Sequence, residues 1–225
     1  MVNSMEYKVI ITILEISMDY ITVIESLKSR DIEIKERYRK ILLTILMIII
    51  LWANTSFKDN YIRYCIVFSL PIMFIVSITD INQRLVFDRD IFCGIIVEIG
   101  IILSKLFEDG RVNRYGLIST CFFQDKIGFN KDITGFILGM FFMFILGYIL
   151  NRTGRGFGMG DTMFFMFSGC FLNLEGCFFV FFASFVVCSI YCIIYRIINK
   201  NFGDGLISFT PFISIGIIIF WCINL

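Results

Sequence analysis

Asp161 stands where a glycine-rich run ends and an apolar segment begins. Residues 154–160 carry four glycines at alternate positions, and residues 162–167 are mostly apolar. A carboxylate at such a boundary is costly unless it is paired or faces water, so Asp161 is a candidate functional residue. An acid after a glycine turn is, by itself, more often an ordinary loop residue. The interpretation therefore depends on a second acid that can reach the same place.

Asp80 is that second acid, because it ends the apolar segment 62–79 in the way that Asp161 begins another. Two carboxylates that lie close together cannot both ionise readily, so one of them holds a proton near neutral pH. Such a pair supplies a general base that activates water and a general acid that protonates a leaving group. The chain has no histidine, which excludes imidazole bases and Ser-His-Asp chemistry. The two acids therefore predict hydrolysis by paired carboxylates.

Gly158 and Gly160 directly precede the second of these acids. Because glycine has no Cβ, we expect both residues to let a substrate backbone approach the carboxylate closely. Irregular backbone at membrane depth also requires a water-lined cavity, and hydrolysis requires the same water.

The composition is that of a membrane protein. Of the 225 residues 58% are hydrophobic and 17% are aromatic, the mean hydropathy is +0.84, and the net charge of +1 does not predict nucleic-acid binding. The apolar residues fall into blocks near the roughly 20 residues that cross a bilayer, which predicts an all-α, multi-pass helix bundle. The eight cysteines include no C-x-x-C pair and most lie in apolar runs, so we expect neither a metal site nor a disulfide framework.

Seven membrane spans are expected in a single membrane domain over residues 41–225. Their approximate ranges are 41–53, 62–79, 91–107, 133–150, 161–174, 176–198 and 206–223. Gly135 and Gly139 in the fourth span have the G-x-x-x-G spacing that allows close helix approach. Ser208 and Thr210 are interpreted as groups that satisfy backbone atoms freed by Pro211.

Residues 1–40 form a separate N-terminal segment, amphipathic and then charged. Polar side chains recur there every three or four positions and share one narrow stripe of a helix, at Thr12, Glu15, Asp19, Thr22 and Ser26. This pattern indicates an amphipathic helix that lies either on the membrane surface or against the bundle.

The positive-inside rule places both acids on one side of the membrane. With seven spans and residues 28–40 in the cytoplasm, the loops 80–90, 151–160 and 196–205 share that side, and each carries two Lys or Arg residues. The long loop 108–132 does not follow the pattern, but its charges nearly balance. We therefore expect Asp80 and Asp161 at the cytoplasmic face.

Three segments of the chain form a recognisable set: Thr79–Asp80 through Asp88, then Gly158–Met159–Gly160–Asp161, and Gly205–Leu206–Ile207–Ser208–Phe209–Thr210–Pro211–Phe212. Together they resemble the type IV prepilin peptidase (leader peptidase) family of intramembrane aspartyl proteases. The second segment matches the family's G-x-G-D motif, and the third is similar to its Phe-Gly-Pro-Phe element. The chain departs from the family pattern at Phe87, which replaces Pro, at Met163, which replaces Lys, and at Thr210, which replaces Gly. The resemblance covers roughly residues 62–223.

The resemblance implies that Asp80 and Asp161 are the catalytic pair, and that Gly158, Gly160 and Pro211 contact the substrate. It implies an aspartic endopeptidase in the bacterial plasma membrane that removes the N-terminal leader of prepilin or pseudopilin proteins. The methyltransferase module of larger members, with its paired C-x-x-C motif, has no counterpart here, so we expect a short form without zinc or another cofactor.

The alternative is a non-enzymatic transporter or assembly subunit that binds a cation or relays protons. Its ion path would use Asp80, Asp161 and Glu98, which lies within the third span. Glu98 is otherwise interpreted as a polar contact inside the bundle. Asp88 and Asp90 are interpreted as solvated loop acids.

Overall fold

The computed structural model describes residues 4–32, 35–56, 60–108, 133–153, 157–198 and 207–223. These ranges contain eight α-helices: α1 Ser4–Lys28, α2 Glu36–Ser56, α3 Asn60–Gln83, α4 Asp88–Glu108, α5 Ile133–Thr153, α6 Met159–Phe171, α7 Leu174–Ile198 and α8 Thr210–Ile223. The predicted all-α architecture is confirmed. Gly154–Gly156 in the glycine-rich run, residues 109–132 of the long loop, and Gly205–Leu206 lie outside the described residues.

Each of the seven predicted spans corresponds to one of the helices α2–α8. Four described segments are long and apolar enough to cross a membrane: Glu36–Ser56, Ile62–Gln83, Thr134–Thr153 and Leu174–Ile198. The apolar segment Thr210–Ile223 is shorter. Helix α6 has 13 residues and extends about 20 Å, whereas the hydrocarbon core is about 30 Å thick. The protein is a membrane helix bundle in which four of the seven predicted spans, within the described residues, are both long enough and apolar enough to cross a membrane.

The chain divides into two compact units, residues 1–75 and 76–225. In the first unit α1 packs against α2. The Asn54 side-chain amide on α2 donates hydrogen bonds to Thr12 Oγ1 and Glu15 Oε2 on α1, both at 2.9 Å, and Asp19 is buried. Thr12 and Glu15 of the polar stripe therefore contact α2, whereas Thr22 of the stripe is exposed. The contact agrees with the second of the two predicted arrangements.

The opposite face of α1 is apolar and exposed, with Ile13, Leu14, Met18 and Ile21. This arrangement is the reverse of a soluble amphipathic helix, in which the polar face points outward. It is the arrangement expected in a lipid environment, because lipid accepts the apolar side chains while the polar groups need partners within the protein.

In the second unit α6 packs against α4, α5, α7 and α8. Its closest neighbour is α5, because a Cβ on Gly169 of α6 would overlap the backbone carbonyl of Gly139. The predicted close helix approach at Gly139 is thus confirmed. The helix that approaches is α6, and the residue that permits the contact is Gly169.

Candidate active site

Asp80 lies in the last turn of α3 and is 7% exposed. Its Oδ2 accepts hydrogen bonds from the hydroxyl group of Thr210 at 2.7 Å and from the backbone N–H of Thr210 at 3.3 Å. The Ser208 hydroxyl donates to the backbone carbonyl of Asp80 at 2.9 Å. The segment that begins α8 therefore holds both the side chain and the backbone of this acid.

The interpretation of Ser208 and Thr210 as partners of backbone groups freed by Pro211 is wrong. Both hydroxyls bond to Asp80 instead. Pro211 is the second residue of α8, at the helix start, where a missing N–H breaks no intrahelical hydrogen bond. The proline therefore frees no group that the hydroxyls would need to satisfy.

Asp161 is the third residue of α6 and is 8% exposed. Its Oδ2 accepts a hydrogen bond from the backbone N–H of Gly158 at 2.9 Å. Gly158 is the N-cap of α6 with extended backbone angles, φ −85° and ψ 161°, so the acid caps its own helix. A carboxylate in the first helical turn is also stabilised by the helix dipole.

The two predicted acids lie close enough to act on each other. The charge of Asp80 exerts an electrostatic effect on the carboxyl group of Asp161. A carboxylate at the end of α3 therefore lies near one at the start of α6, and that the two form one site stays a prediction. Their catalytic role remains a prediction.

Gly160 and Gly158 differ in what surrounds their missing side chains. A Cβ on Gly160 would lie 2.6 Å from Cβ of Val86, so the loop that follows α3 packs directly on this glycine. A Cβ on Gly158 would meet only Asp161 Oδ2 at 3.4 Å and the Gly160 nitrogen at 3.9 Å. Gly160 therefore joins the two acid-bearing segments, whereas Gly158 is exposed and leaves room beside Asp161.

The other three acids that the sequence analysis singles out differ in their exposure. Asp88 is exposed as predicted, but Asp90 is 8% exposed in the first turn of α4, so its interpretation as a solvated loop acid is wrong. Glu98 is 1% exposed, which confirms its place inside the bundle, and it acts electrostatically on Cys170 of α6. Cys170 is nine residues beyond Asp161, about 14 Å along the helix axis.

Metal-binding side chains do not cluster in the part of the chain that the structure describes. It contains no group of three or more His, Cys, Asp or Glu residues that could hold a metal ion.

The Gly160 contact gives a testable prediction about stability. We expect Gly160→Ala to lower the thermal unfolding temperature of the purified protein, because the new Cβ would displace Val86. Overpacking of this kind costs about 1–3 kcal/mol. Gly158→Ala is the matched control, and adding Val86→Ala to Gly160→Ala should restore part of the loss. An equal effect of Gly158→Ala and Gly160→Ala would contradict the assigned contact.

Comparison with known proteins identifies a family for this chain. The model of the type IV leader peptidase family matches residues 65–193, which is more than half of the chain. The matched range contains Asp80 and Asp161 but ends before Ser208, Thr210 and Pro211. No curated protein and no solved structure matches the chain significantly. With its helical membrane architecture and its two interacting acids inside the matched range, the chain belongs to the type IV leader peptidase family, a family of peptidases.

Proposed function

We propose that the protein is an aspartic endopeptidase that removes the N-terminal leader of prepilin-like proteins at the cytoplasmic face of the bacterial plasma membrane. The observation that carries the proposal is that two buried acids from distant parts of the chain, Asp80 and Asp161, stand on segments that touch, because Val86 in the loop after α3 packs on Gly160. The charge of Asp80 also acts on Asp161. Membership of the leader peptidase family supports the reaction class. Prepilins or pseudopilins are the expected partners, and the lipid bilayer holds both enzyme and substrate.

In the proposed mechanism one carboxylate is ionised and the other is protonated. The ionised carboxylate takes a proton from water while the water oxygen attacks the carbonyl carbon of the scissile peptide bond. The protonated acid donates its proton to the carbonyl oxygen, which yields a neutral tetrahedral diol. The first carboxyl group then gives the proton that it took from water to the leaving nitrogen, and the C–N bond breaks. The second carboxylate takes a proton from one hydroxyl of the diol, so that the carboxyl and amine products leave. The pair shares one proton before and after the cycle.

Substrate would reach the dyad beside Gly158. This residue is exposed, has an extended backbone, and adjoins the Asp161 carboxylate. Pro211, which is half-buried, follows the residue that bonds to Asp80 and so lies within the same site. In the proposal these two residues contact the extended leader, while Gly160 maintains the packing between the loop after α3 and the start of α6.

The test is leader removal from a co-expressed prepilin, followed on a gel by the shift in its size. The prepilin carries a basic leader that ends in Gly before its hydrophobic helix. The wild-type protein is expected to process it and Asp80→Asn is expected not to. Glu175→Gln is the control, because Glu175 is an exposed acid in the first turn of α7, as Asp161 is an acid in the first turn of α6. Processing that survives Asp80→Asn would refute the dyad, and wild-type protein that processes no prepilin would refute the proposed function.

The transporter alternative receives no specific support from the described residues. Glu98 is buried in α4 and acts electrostatically on Cys170, which is nine residues beyond Asp161 in α6. The wild-type processing assay still separates the two functions, because a transporter would leave the prepilin uncut.

A further inference from the structure

Thr210 differs from the ordinary hydroxyl residues of this protein in the direction of its hydrogen bond. Most helix hydroxyls bond a carbonyl of their own helix, as Thr55 does with Leu51 and Ser184 does with Val180. Thr210 is the first residue of α8, and its hydroxyl instead donates to the Asp80 carboxylate on α3. The residue occupies the position at which the resembled family element has Gly, which could supply the N–H donor but not the hydroxyl.

From this geometry we infer that Thr210 is a positioning residue that orients the Asp80 carboxylate for catalysis. The inference rests on the proposed function. The two donors of Thr210 meet at a single oxygen, Oδ2, which restricts rotation of the carboxylate about its Cβ–Cγ bond. The other oxygen, Oδ1, takes part in neither bond and is the oxygen that would face the attacking water.

The backbone that carries Thr210 is held on both sides. Phe209 packs against aromatic rings of three neighbouring segments, with ring centroids 5.4 Å from Phe157, 6.0 Å from Phe165 and 5.0 Å from Phe185. On the other side, the hydroxyl groups of Ser214 and Ser77 are 2.8 Å apart and join α8 to α3. Because the segment is anchored independently of Asp80, loss of one hydroxyl should free the carboxylate without unfolding the segment.

A set of substitutions separates the hydroxyl from the volume and the backbone of Thr210. Thr210→Val keeps the shape and the N–H but removes the hydroxyl, whereas Thr210→Ser keeps the hydroxyl. Thr210→Gly introduces the residue that the family's Phe-Gly-Pro-Phe element has at this position, and it keeps the N–H but removes the hydroxyl. Thr55→Val is the matched control, because the Thr55 hydroxyl is exposed and bonds only within α2.

The first measurement is the kinetics of leader cleavage by purified protein on a prepilin-derived peptide. Misplacement of a reacting group lowers turnover rather than binding. We expect Thr210→Val to lower kcat by roughly 10-fold with KM nearly unchanged. Thr210→Ser should restore kcat to within a few fold of the wild-type value, and Thr55→Val should change neither constant. A loss confined to KM, or a Ser variant as slow as Val, would refute a positioning role.

The second measurement does not require activity and separates this inference from the proposed function. A carbodiimide adds to a carboxyl oxygen, and the hydrogen bonds from Thr210 shield the Asp80 carboxylate from it. Peptide mass spectrometry reports the extent of modification at Asp80. Modification of Asp80 should rise several-fold in Thr210→Val and remain near the wild-type level in Thr210→Ser and Thr55→Val. If the wild-type protein cleaves no leader, the proposed function fails while this labelling still shows whether Thr210 holds Asp80. Unchanged labelling of Asp80 in Thr210→Val would overturn the inference. If the Val variant does not fold, Thr210→Gly replaces it, because it also lacks the hydroxyl: increased labelling supports the inference and unchanged labelling overturns it.

Discussion

Asp161→Asn is expected to reduce leader cleavage by at least about 10³-fold, because asparagine can neither take a proton from water nor return one. The substitution keeps the local fold, since the amide oxygen of asparagine can still accept the hydrogen bond from the Gly158 N–H that caps α6. The measurement is kcat/KM for cleavage of a prepilin-derived peptide, together with the thermal unfolding temperature. The expected result is a catalytic loss without a comparable loss of stability.

Asp161→Ala provides the contrast, because alanine removes both the carboxylate and the cap. Loss of such a cap costs about 1 kcal/mol, so this variant should also be less stable than Asp161→Asn. Glu175→Gln, which changes an exposed acid in the first turn of α7, should affect neither property. If Asp161→Asn kept more than a tenth of wild-type activity, Asp161 would not be one of the two catalytic acids.

Gly169→Ala is expected to have the largest effect on stability among small substitutions in the membrane helices. The new Cβ would overlap the backbone carbonyl of Gly139 on α5, and a backbone atom cannot move aside as a flexible side chain can. Helices α5 and α6 would have to separate, at a cost of about 1–3 kcal/mol. The thermal unfolding temperature of the detergent-solubilised protein should fall accordingly, and activity should fall with it because α6 carries Asp161.

The matched control is Gly100→Ala on α4, where a new Cβ would meet nothing within 4 Å. Alanine has the higher helix propensity, so this variant should be as stable as the wild-type protein or slightly more stable. A similar decrease in both variants would mean that glycine is needed for a reason other than the close contact between α5 and α6.

The sequence by itself determined the helical architecture and the identity of the two acids. Blocks of apolar residues near the length of a membrane span predicted helices at the places where α2–α8 occur. The run Gly158–Met159–Gly160–Asp161 predicted the start of a helix with an acid in its first turn, which is how α6 begins. These features are local, because helix formation depends on residues within a few positions of each other, and a short motif can therefore report them.

Only the tertiary structure decided what surrounds those acids. It brought Thr210 to Asp80, Val86 to Gly160 and Gly169 to Gly139, and it turned part of the polar stripe of α1 toward Asn54. Each of these contacts joins residues of different segments, and the partner depends on how the helices pack and rotate about their axes. Hydrophobic periodicity and residue spacing do not specify such pairings, because many packings bury the same apolar faces. The hydroxyl that holds the Asp80 carboxylate therefore became visible only when α8 was placed against the end of α3.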